Sequence, residues 1–308
     1  MSHSDPDGDA VGSEYALAQI LTRMGKTVLV LNSDDASDKF TFFDDDNIIG
    51  SLEGGRDPPS DLENWTSIIL DTGDLDHLGT VKNLILPHTA DYFIIDHHTP
   101  SPSTSKERAY VVESAAATCE IVFDLAQILD AKITLQSAYA LFSGIVYDTG
   151  SFIYSKTSSH TMDVARQLME IGVLPQKVHS NLYEQIEPSR MRLMAKVQSS
   201  LELLENDQIS LQILTLEMLE STGAKFEDAE NFINYPLKCN TIKISLFIKQ
   251  LGINDYKISL RSKGSINISI LAISMGGGGH RNAAGFALKK PLEQVRNIVL
   301  ESCRSLIR

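Results

Sequence analysis

The residues best equipped for chemistry stand at the start of the chain, in His3-Ser-Asp-Pro-Asp-Gly-Asp-Ala-Val-Gly-Ser13. One imidazole and three carboxylates fall within seven residues there. Carboxylates this close repel one another unless a cation neutralises them. Hard oxygen ligands joined by a histidine suit Mn²⁺ or Mg²⁺, and admit Fe²⁺ or Zn²⁺. Asp-Pro-Asp-Gly is also a common turn, so this segment alone leaves both readings open. Asp71-Thr-Gly-Asp74 follows the apolar run Ser67–Leu70. That places Asp71 at the carboxyl edge of a strand, where open α/β sheets build their sites; capping of a following helix is the plainer reading. Asp96-His97-His98 follows Tyr92–Ile95 in the same way. Two adjacent imidazoles beside a carboxylate at a sheet edge are uncommon as packing, and Asp96 could work from behind, fixing a histidine tautomer. Asp148-Thr-Gly150 closes a helical stretch. In Gly276–Gly285, four glycines precede His280 and Arg281, so the backbone N–H groups of Gly277, Gly278 and Gly279 can approach an anion closely. A phosphate or nucleotide grip is expected there, with a flexible linker as the rival.

The elements that must carry these groups follow from periodicity. Short apolar runs at Val28–Leu31, Ser67–Leu70 and Tyr92–Ile95 alternate with helical stretches at Ala10–Met24, Ala116–Leu129 and Gln136–Tyr147. This pattern predicts a parallel sheet with crossover helices. Helices are also expected over Thr161–Ile171 and Pro188–Leu204. Beyond them the pattern changes: strands at Ile209–Leu216, Ile242–Gln250 and Tyr256–Ser262, helices at Ala224–Tyr235, Ile266–Met275 and Leu292–Leu306, and a break at Gly276–Gly279. The expected fold is α/β, a Rossmann-like parallel-sheet domain (1–190), a connector helix (191–206) and a smaller mixed-sheet α/β domain (207–308), with a cleft between the domains.

Composition narrows the function classes. The chain has 308 residues, enough for two cores, and its 43% hydrophobic and 22% charged content argues against disorder. No apolar run approaches the roughly 18–20 residues that span a bilayer, and nothing at the start reads as a signal peptide. Three widely spaced cysteines form neither a disulfide framework nor a zinc knuckle. A net charge of −13 disfavours duplex binding. The charge is uneven: residues 1–150 hold 8 basic and 25 acidic side chains, and 151–308 hold 19 and 15. That asymmetry suits cations in the first half and an anionic ligand in the second, or a plain acidic surface.

Taken in order, His3…Asp7-Gly-Asp9-Ala, Asp71, Asp96-His97-His98 and Asp148-Thr-Gly150 make the sequence resemble the DHH phosphoesterase family. Gly276–Gly285 is similar to the signature of the DHH-associated type 1 domain, supported by Ala117-Thr-Cys-Glu120 and Ser259-Leu-Arg-Ser262. Within the family it looks most like the short nanoRNase and 3′-phosphoadenosine 5′-phosphate (pAp) phosphatase group. The resemblance implies two divalent ions, usually Mn²⁺ with Mg²⁺ as a substitute. It assigns His3, Asp7 and Asp71 to one ion and Asp9, Asp71, His97 and Asp148 to the other, with Asp71 bridging. His98 would meet the scissile phosphate, with Asp71 and Asp96 as its catalytic companions. Arg261, Ser262, Gly277, Gly278, Gly279, His280 and Arg281 would hold the substrate. The implied reaction is attack of a two-metal-activated hydroxide on phosphorus, cutting short oligoribonucleotides to mononucleotides and pAp to AMP. Family members usually carry a helix and a strand before the first motif, so the first strand is expected to be missing: either the chain begins too late, through a misplaced start or truncation, or something else covers the gap. His77 stands where an Arg is frequent; an exposed residue without a role is the favoured reading.

Rival expectations are a cyclic di-AMP or pApA phosphodiesterase, a non-catalytic nucleotide-binding relic, an inorganic pyrophosphatase, and a RecJ-type exonuclease on long strands. The expected partners are short single-stranded RNA or small nucleotides, with no duplex DNA and no membrane. A cytoplasmic protein is expected, with a homodimer left open.

Overall fold

A computed structural model describes residues 1–100, 104 and 107–307. The chain divides into two compact units, Met1–Gln185 and Ile186–Arg308.

The first unit begins with α1 (Gly8–Arg23), whose N-cap Asp7 accepts from the Asp9 and Ala10 amides. Three parallel strands come next: β1 (Thr66–Leu70), β2 (Asp91–Asp96) after the single-turn α2 (Val81–Leu84), and β3 (Ala109–Val111), in spatial order β1-β2-β3. Then come α3 (Thr118–Ile128), α4 (Leu135–Asp148), α5 (Ser159–Ile171) and α6 (Pro175–Tyr183). The two strand-end acids expected from sequence fall where β1 and β2 stop. Val28–Leu31, expected as a strand, joins no ladder among the described residues. The outer edge of β1 is met instead by Met1, whose amino group donates to the Ile68 carbonyl and whose carbonyl accepts from the Leu70 amide. Residues of β1 and of the Thr27–Leu31 segment both line an apolar cavity of about 680 Å³.

Helices α1 and α4 cross at small residues. A Cβ on Gly12 would lie 2.4 Å from the Ala140 carbonyl oxygen, and one on Gly144 would lie 2.3 Å from Cys119 Sγ and 3.0 Å from Asp9 Cα. The bare backbones therefore bring Asp9, on the first turn of α1, close to the helix that ends at Asp148. Around this crossing Val11, Tyr15, Val122, Phe123, Leu141 and Ile145 form the core.

The second unit opens with α7 (Pro188–Ser199). The single helix expected over Pro188–Leu204 stops there. Ser200 donates to the Val197 carbonyl and accepts from the Ile213 amide, which turns the chain into β4 (Glu202–Leu204), antiparallel to β5 (Ile209–Leu214). Within 191–206, expected as a connector, Leu193 and Val197 are buried with Leu214, Phe232 and Phe247 of this unit. The helix expected at Ala224–Tyr235 is also displaced: α8 (Leu216–Thr222) ends on left-handed Gly223, and the chain beyond it is broken into 3₁₀ turns around left-handed Asn231. Strands β6 (Ile244–Gly252) and β7 (Asp255–Ser262) come next, then α9 (Ser269–Ser274), β8 (Gly278–His280), β9 (Ala283–Lys289) and α10 (Leu292–Ile307). The mixed sheet runs β4-β5-β6-β7-β9-β8. Leu271, Ala272, Val295 and Val299 share a core with Leu246, Ile258 and Leu260.

Overpacking a tight crossing costs about 1–3 kcal/mol. Gly12→Ala is therefore expected to destabilise the first unit by that order, read as a lower denaturation midpoint at unchanged m-value. An unchanged midpoint would show that α1 and α4 can separate freely.

Candidate metal centre

The first unit gathers its acids and imidazoles at one end of the sheet. Asp71, one residue past β1, has a left-handed backbone (φ +60°) fixed by its amide bond to the Ile95 carbonyl. Strain of this kind persists where the surrounding structure enforces it. Here it leaves the Asp71 carboxylate buried between two groups. His3 Nε2 lies 3.7 Å from Asp71 Oδ2 and 4.0 Å from Asp7 Oδ1. On the other side His97 Nε2 lies 3.5 Å from Asp71 Oδ1, 3.8 Å from Asp9 Oδ2 and 3.2 Å from Asp148 Oδ2. Ligand atoms of His3, Asp7 and Asp71 lie within 4.8 Å of one another, as do those of Asp9, His97 and Asp148, and those of Asp71, His97 and His98.

The donor chemistry of these groups fits a cation. His3 Nδ1 is 2.8 Å from the Ser4 carbonyl and His97 Nδ1 is 3.3 Å from the Ala115 carbonyl. A carbonyl only accepts, so the neutral His3 ring carries its proton on Nδ1 and presents an Nε2 lone pair, whereas at His97 the Ala115 carbonyl competes for Nδ1 with Lys156 Nζ, 3.5 Å away. His97 Nε2 is buried with no hydrogen-bond partner. It faces three carboxylates, which are acceptors. A buried set of carboxylates and an imidazole aimed at a shared space is one that a divalent ion can satisfy.

The acid–base behaviour of the cation-free site agrees. Burial, followed by the charges of Asp71 and Asp148, pushes Asp9 well above the usual carboxylate range. Burial and the charges of Asp71 and Asp7 lift Asp148 to about 6. Burial opposes charge on His3, but the Asp71 bond, the Ser4 carbonyl and the nearby acids outweigh it and raise the group to about 9. His97 is depressed, first by burial. Without a cation, the acids hold protons to relieve mutual repulsion.

Asp96 stands behind this cluster. Its buried Oδ1 accepts from the His97 and His98 amides and lies 2.8 Å from His98 Nδ1. That bond comes first among the causes that raise the His98 pKa, and the half-exposed ring keeps Nε2 free. A hollow of about 300 Å³ is lined by His3, Asp7, Asp71, His77, His98 and Asp148, so His77 borders the site.

Two contributors were not singled out from sequence as site residues. Thr118 donates its amide to Asp9 Oδ2 at 2.6 Å and its hydroxyl to Asp71 Oδ1 at 3.0 Å, and the Cys119 amide donates to Asp9 Oδ1 at 2.8 Å. The N-terminus of α3 thus fixes two acids at once. Lys156 Nζ donates to the His97 carbonyl at 3.0 Å. The Ala117-Thr-Cys-Glu120 stretch was the available signal for Thr118; Lys156 had none.

In the second unit the glycine-rich segment runs from a turn at Gly276 into the edge strand β8, which takes Gly278 and Gly279. A Cβ on Gly277 would meet the Gly285 carbonyl oxygen at 2.2 Å, and Gly279 (φ +138°) lies against Ala283 and Ala284. Register sets Arg261 and His280 opposite Ala283 on its two sides, so all three share one face. Arg281 Nη2 donates to the Ser265 carbonyl. Ser262 is occupied by the fold: its hydroxyl donates to the Ile266 carbonyl and accepts from Asn282.

Comparison with known proteins agrees with this layout. Residues 1–145 match the DHH family, N-terminal domain, and residues 209–307 match the DHHA1 domain. The chain belongs to the DHH family. It is accordingly a hydrolase of phosphoester bonds. This DHH protein is 29% identical over 98% of its length, and 88% of the relative's, to a bifunctional oligoribonuclease and PAP phosphatase NrnA from Thermus thermophilus. It is 26% identical to a cyclic-di-AMP phosphodiesterase PdeA from Listeria monocytogenes, covering 94% of this chain but 44% of that one. Among solved structures, an exopolyphosphatase-related protein from Bacteroides fragilis superposes with a TM-score of 0.79 at 25% identity, over 99% of this chain and 90% of the other. Among the described residues, no helix is long and apolar enough to cross a membrane.

A raised folded-state pKa gives stability that is present below the unfolded value and lost as pH climbs through the folded one. For His3 that window runs from its model-compound value of 6.5 to about 9. In chelator, the melting temperature should therefore fall from pH 6.5 to 9, and His3→Gln should flatten the decline. An equal decline in His3→Gln would remove His3 as its source.

Proposed function

We propose that this DHH protein is a divalent-cation-dependent phosphoesterase that trims very short oligoribonucleotides to mononucleotides and converts pAp to AMP. One observation carries the reading: the two oxygens of Asp71 face two separate ligand groups, His3 with Asp7 on one side and His97 with Asp9 and Asp148 on the other. A single carboxylate so placed suits a bridge between two ions. Bound there, divalent cations, with Mn²⁺ favoured, would neutralise phosphate charge and make a coordinated water acidic enough to supply the nucleophile. The near-full-length match to an oligoribonuclease and PAP phosphatase supports the substrate class. The cyclic di-AMP reading has less support, because its relative is covered over less than half of its length.

The chain's own residues have distinct tasks. His3, Asp7, Asp9, Asp71, His97 and Asp148 hold the ions. Thr118 keeps Asp71 and Asp9 aimed, while Asp96 orients His98 and keeps its ring protonated. His98 then presents N–H to a phosphoryl oxygen as charge grows there. Hydrolysis adds water across the P–O bond: hydroxide oxygen goes to phosphorus, and the proton ends on the departing 3′-oxygen. In the second unit, Arg261, His280 and Arg281, with the backbone of Gly278 and Gly279, offer donors for a nucleotide anion; the Gly277 amide does not, because it donates to the Ala272 carbonyl. Ser262 supports that strand from inside.

The test is product analysis with pApA, pAp and cyclic di-AMP in Mn²⁺ and in chelator. AMP should appear from pApA and pAp in Mn²⁺ alone, with cyclic di-AMP left intact. No turnover above the chelated control with any divalent ion would favour a binding relic. Asp71→Ala should reduce turnover to the chelated baseline while the protein still unfolds cooperatively; near-normal activity would remove Asp71 as the bridge. Thr118→Val should weaken Mn²⁺ activation by about 10–100-fold. Arg281→Ala should chiefly raise KM; a pure kcat loss would put Arg281 on the transition state.

A further inference from the structure

A second depression in the first unit adjoins the metal centre and has a different chemistry. It measures about 580 Å³, and its walls include Tyr147, Tyr154, His179 and Tyr183, with Asp148 at its margin. Asp148 also lines the hollow at the metal centre, so the two depressions share a wall. Apart from Asp148 and His179, this lining carries no ionisable group other than phenols. The His179 ring is turned toward Glu184, 3.5 Å away. Among the described residues no lysine or arginine lines it, which disfavours a phosphate, and four of its seven lining residues carry aromatic rings.

The backbone is bent to make this arrangement. Gly150, Ser151 and Phe152 are three consecutive left-handed residues (φ +55°, +63° and +67°). A bulky residue such as Phe152 is a genuine outlier in that region. The bend is held by Thr149, whose hydroxyl accepts from the Phe152 amide and whose carbonyl accepts from the Ile153 and Tyr154 amides. Its effect is to fold Tyr154 back onto Gly150, where a Cβ would lie 2.5 Å from the tyrosine Cζ. The ring nonetheless remains 61% exposed, so the strain is not used to bury it. Tyr183 is also exposed, and its ring centroid stands 5.3 Å from that of His179, one helical turn earlier on α6. Tyr147 is anchored from behind by an edge contact with Phe40 at 5.0 Å. Exposed aromatic rings held in place beside a phosphate-processing centre are what an unstacked base requires.

We infer that this depression is a nucleobase-stacking subsite, with Tyr154 and Tyr183 receiving the base of the nucleotide whose scissile phosphate lies at the metal centre. The inference rests on the phosphoesterase reading above and adds what selects a nucleotide over a bare phosphoester. Stacking uses the π-face that every base has, so the subsite accepts any base and rejects a sugar phosphate without one.

The experiment compares ApA with analogues in which either nucleoside is replaced by an abasic ribose, in Mn²⁺, using the full chain. In the wild type, one of the two abasic analogues should show a KM about tenfold higher than ApA. Tyr154→Ala should raise the ApA KM by a similar factor and erase the difference between ApA and that analogue. Tyr154→Trp should restore both values. Tyr183→Ala should act in the same direction. Equal KM changes for ApA and both abasic analogues, or no change for any, would overturn the subsite, since a merely structural role moves all substrates alike. A readout free of turnover separates this inference from the reading beneath it. The fluorescence of 2-aminopurine ribonucleotide in chelator should be quenched by the wild type and not by Tyr154→Ala. Quenching without hydrolysis would keep the subsite and sink the enzyme; hydrolysis of ApA with neither quenching nor base discrimination would do the reverse.

Discussion

The first unit is organised around carboxylates packed against one another and against the His97 imidazole. Asp9, Asp71 and Asp148 surround Nε2 of His97, and Asp7 adds a further carboxylate beside His3. Burial alone would make such a set unfavourable, and the upward displacement of Asp9 and Asp148 is its signature. The surrounding scaffold opposes this repulsion with fixed partial charges. The first amides of α3 are spent on Asp9, and the Thr118 hydroxyl on Asp71. Two acids are thereby held in place, in a position that a cation can complete.

Packing serves the same end. Gly12 and Gly144 let α1 and α4 approach until Asp9 lies against the helix that terminates in Asp148. The ends of β1 and β2 deliver Asp71 and the Asp96-His97-His98 run, adjacent because their strands pair in parallel register. A longer side chain at either glycine would shift the acids of the candidate metal centre as well as the core. Stability and chemistry are coupled at that crossing, through volume as well as charge.

The division of labour between the two histidines comes from what each Nδ1 touches. His97 has a neutral carbonyl and the Lys156 ammonium at Nδ1, is buried, and is driven toward its neutral form. His98 is bonded to the buried Asp96 carboxylate, is half exposed, and is driven toward its charged form. Adjacent residues of one type thus acquire opposite protonation preferences, one suited to holding a cation and the other to meeting an anion.

Much of this was legible in the sequence. Acids and imidazoles just past apolar runs announce a sheet-edge site, because a strand's end is fixed by its own residues. The helices α1, α3, α4, α5 and α10 were likewise written in local periodicity. What sequence could not decide was long-range pairing. Val28–Leu31 has strand character, yet the edge of β1 is taken by Met1. Leu201–Leu204 continues a helical pattern, yet Ser200 bonds to β5 and the chain becomes a strand. Gly276–Gly279 reads as a breaker, yet Gly278–His280 pairs with β9 because a bare backbone can lie against another. Thr118 owes its position to bonds with Asp9 and Asp71, which are distant in sequence. Residue type and order therefore fixed which chemistry was available; tertiary contacts, whose hydrogen bonds join distant segments, decided which groups could share it.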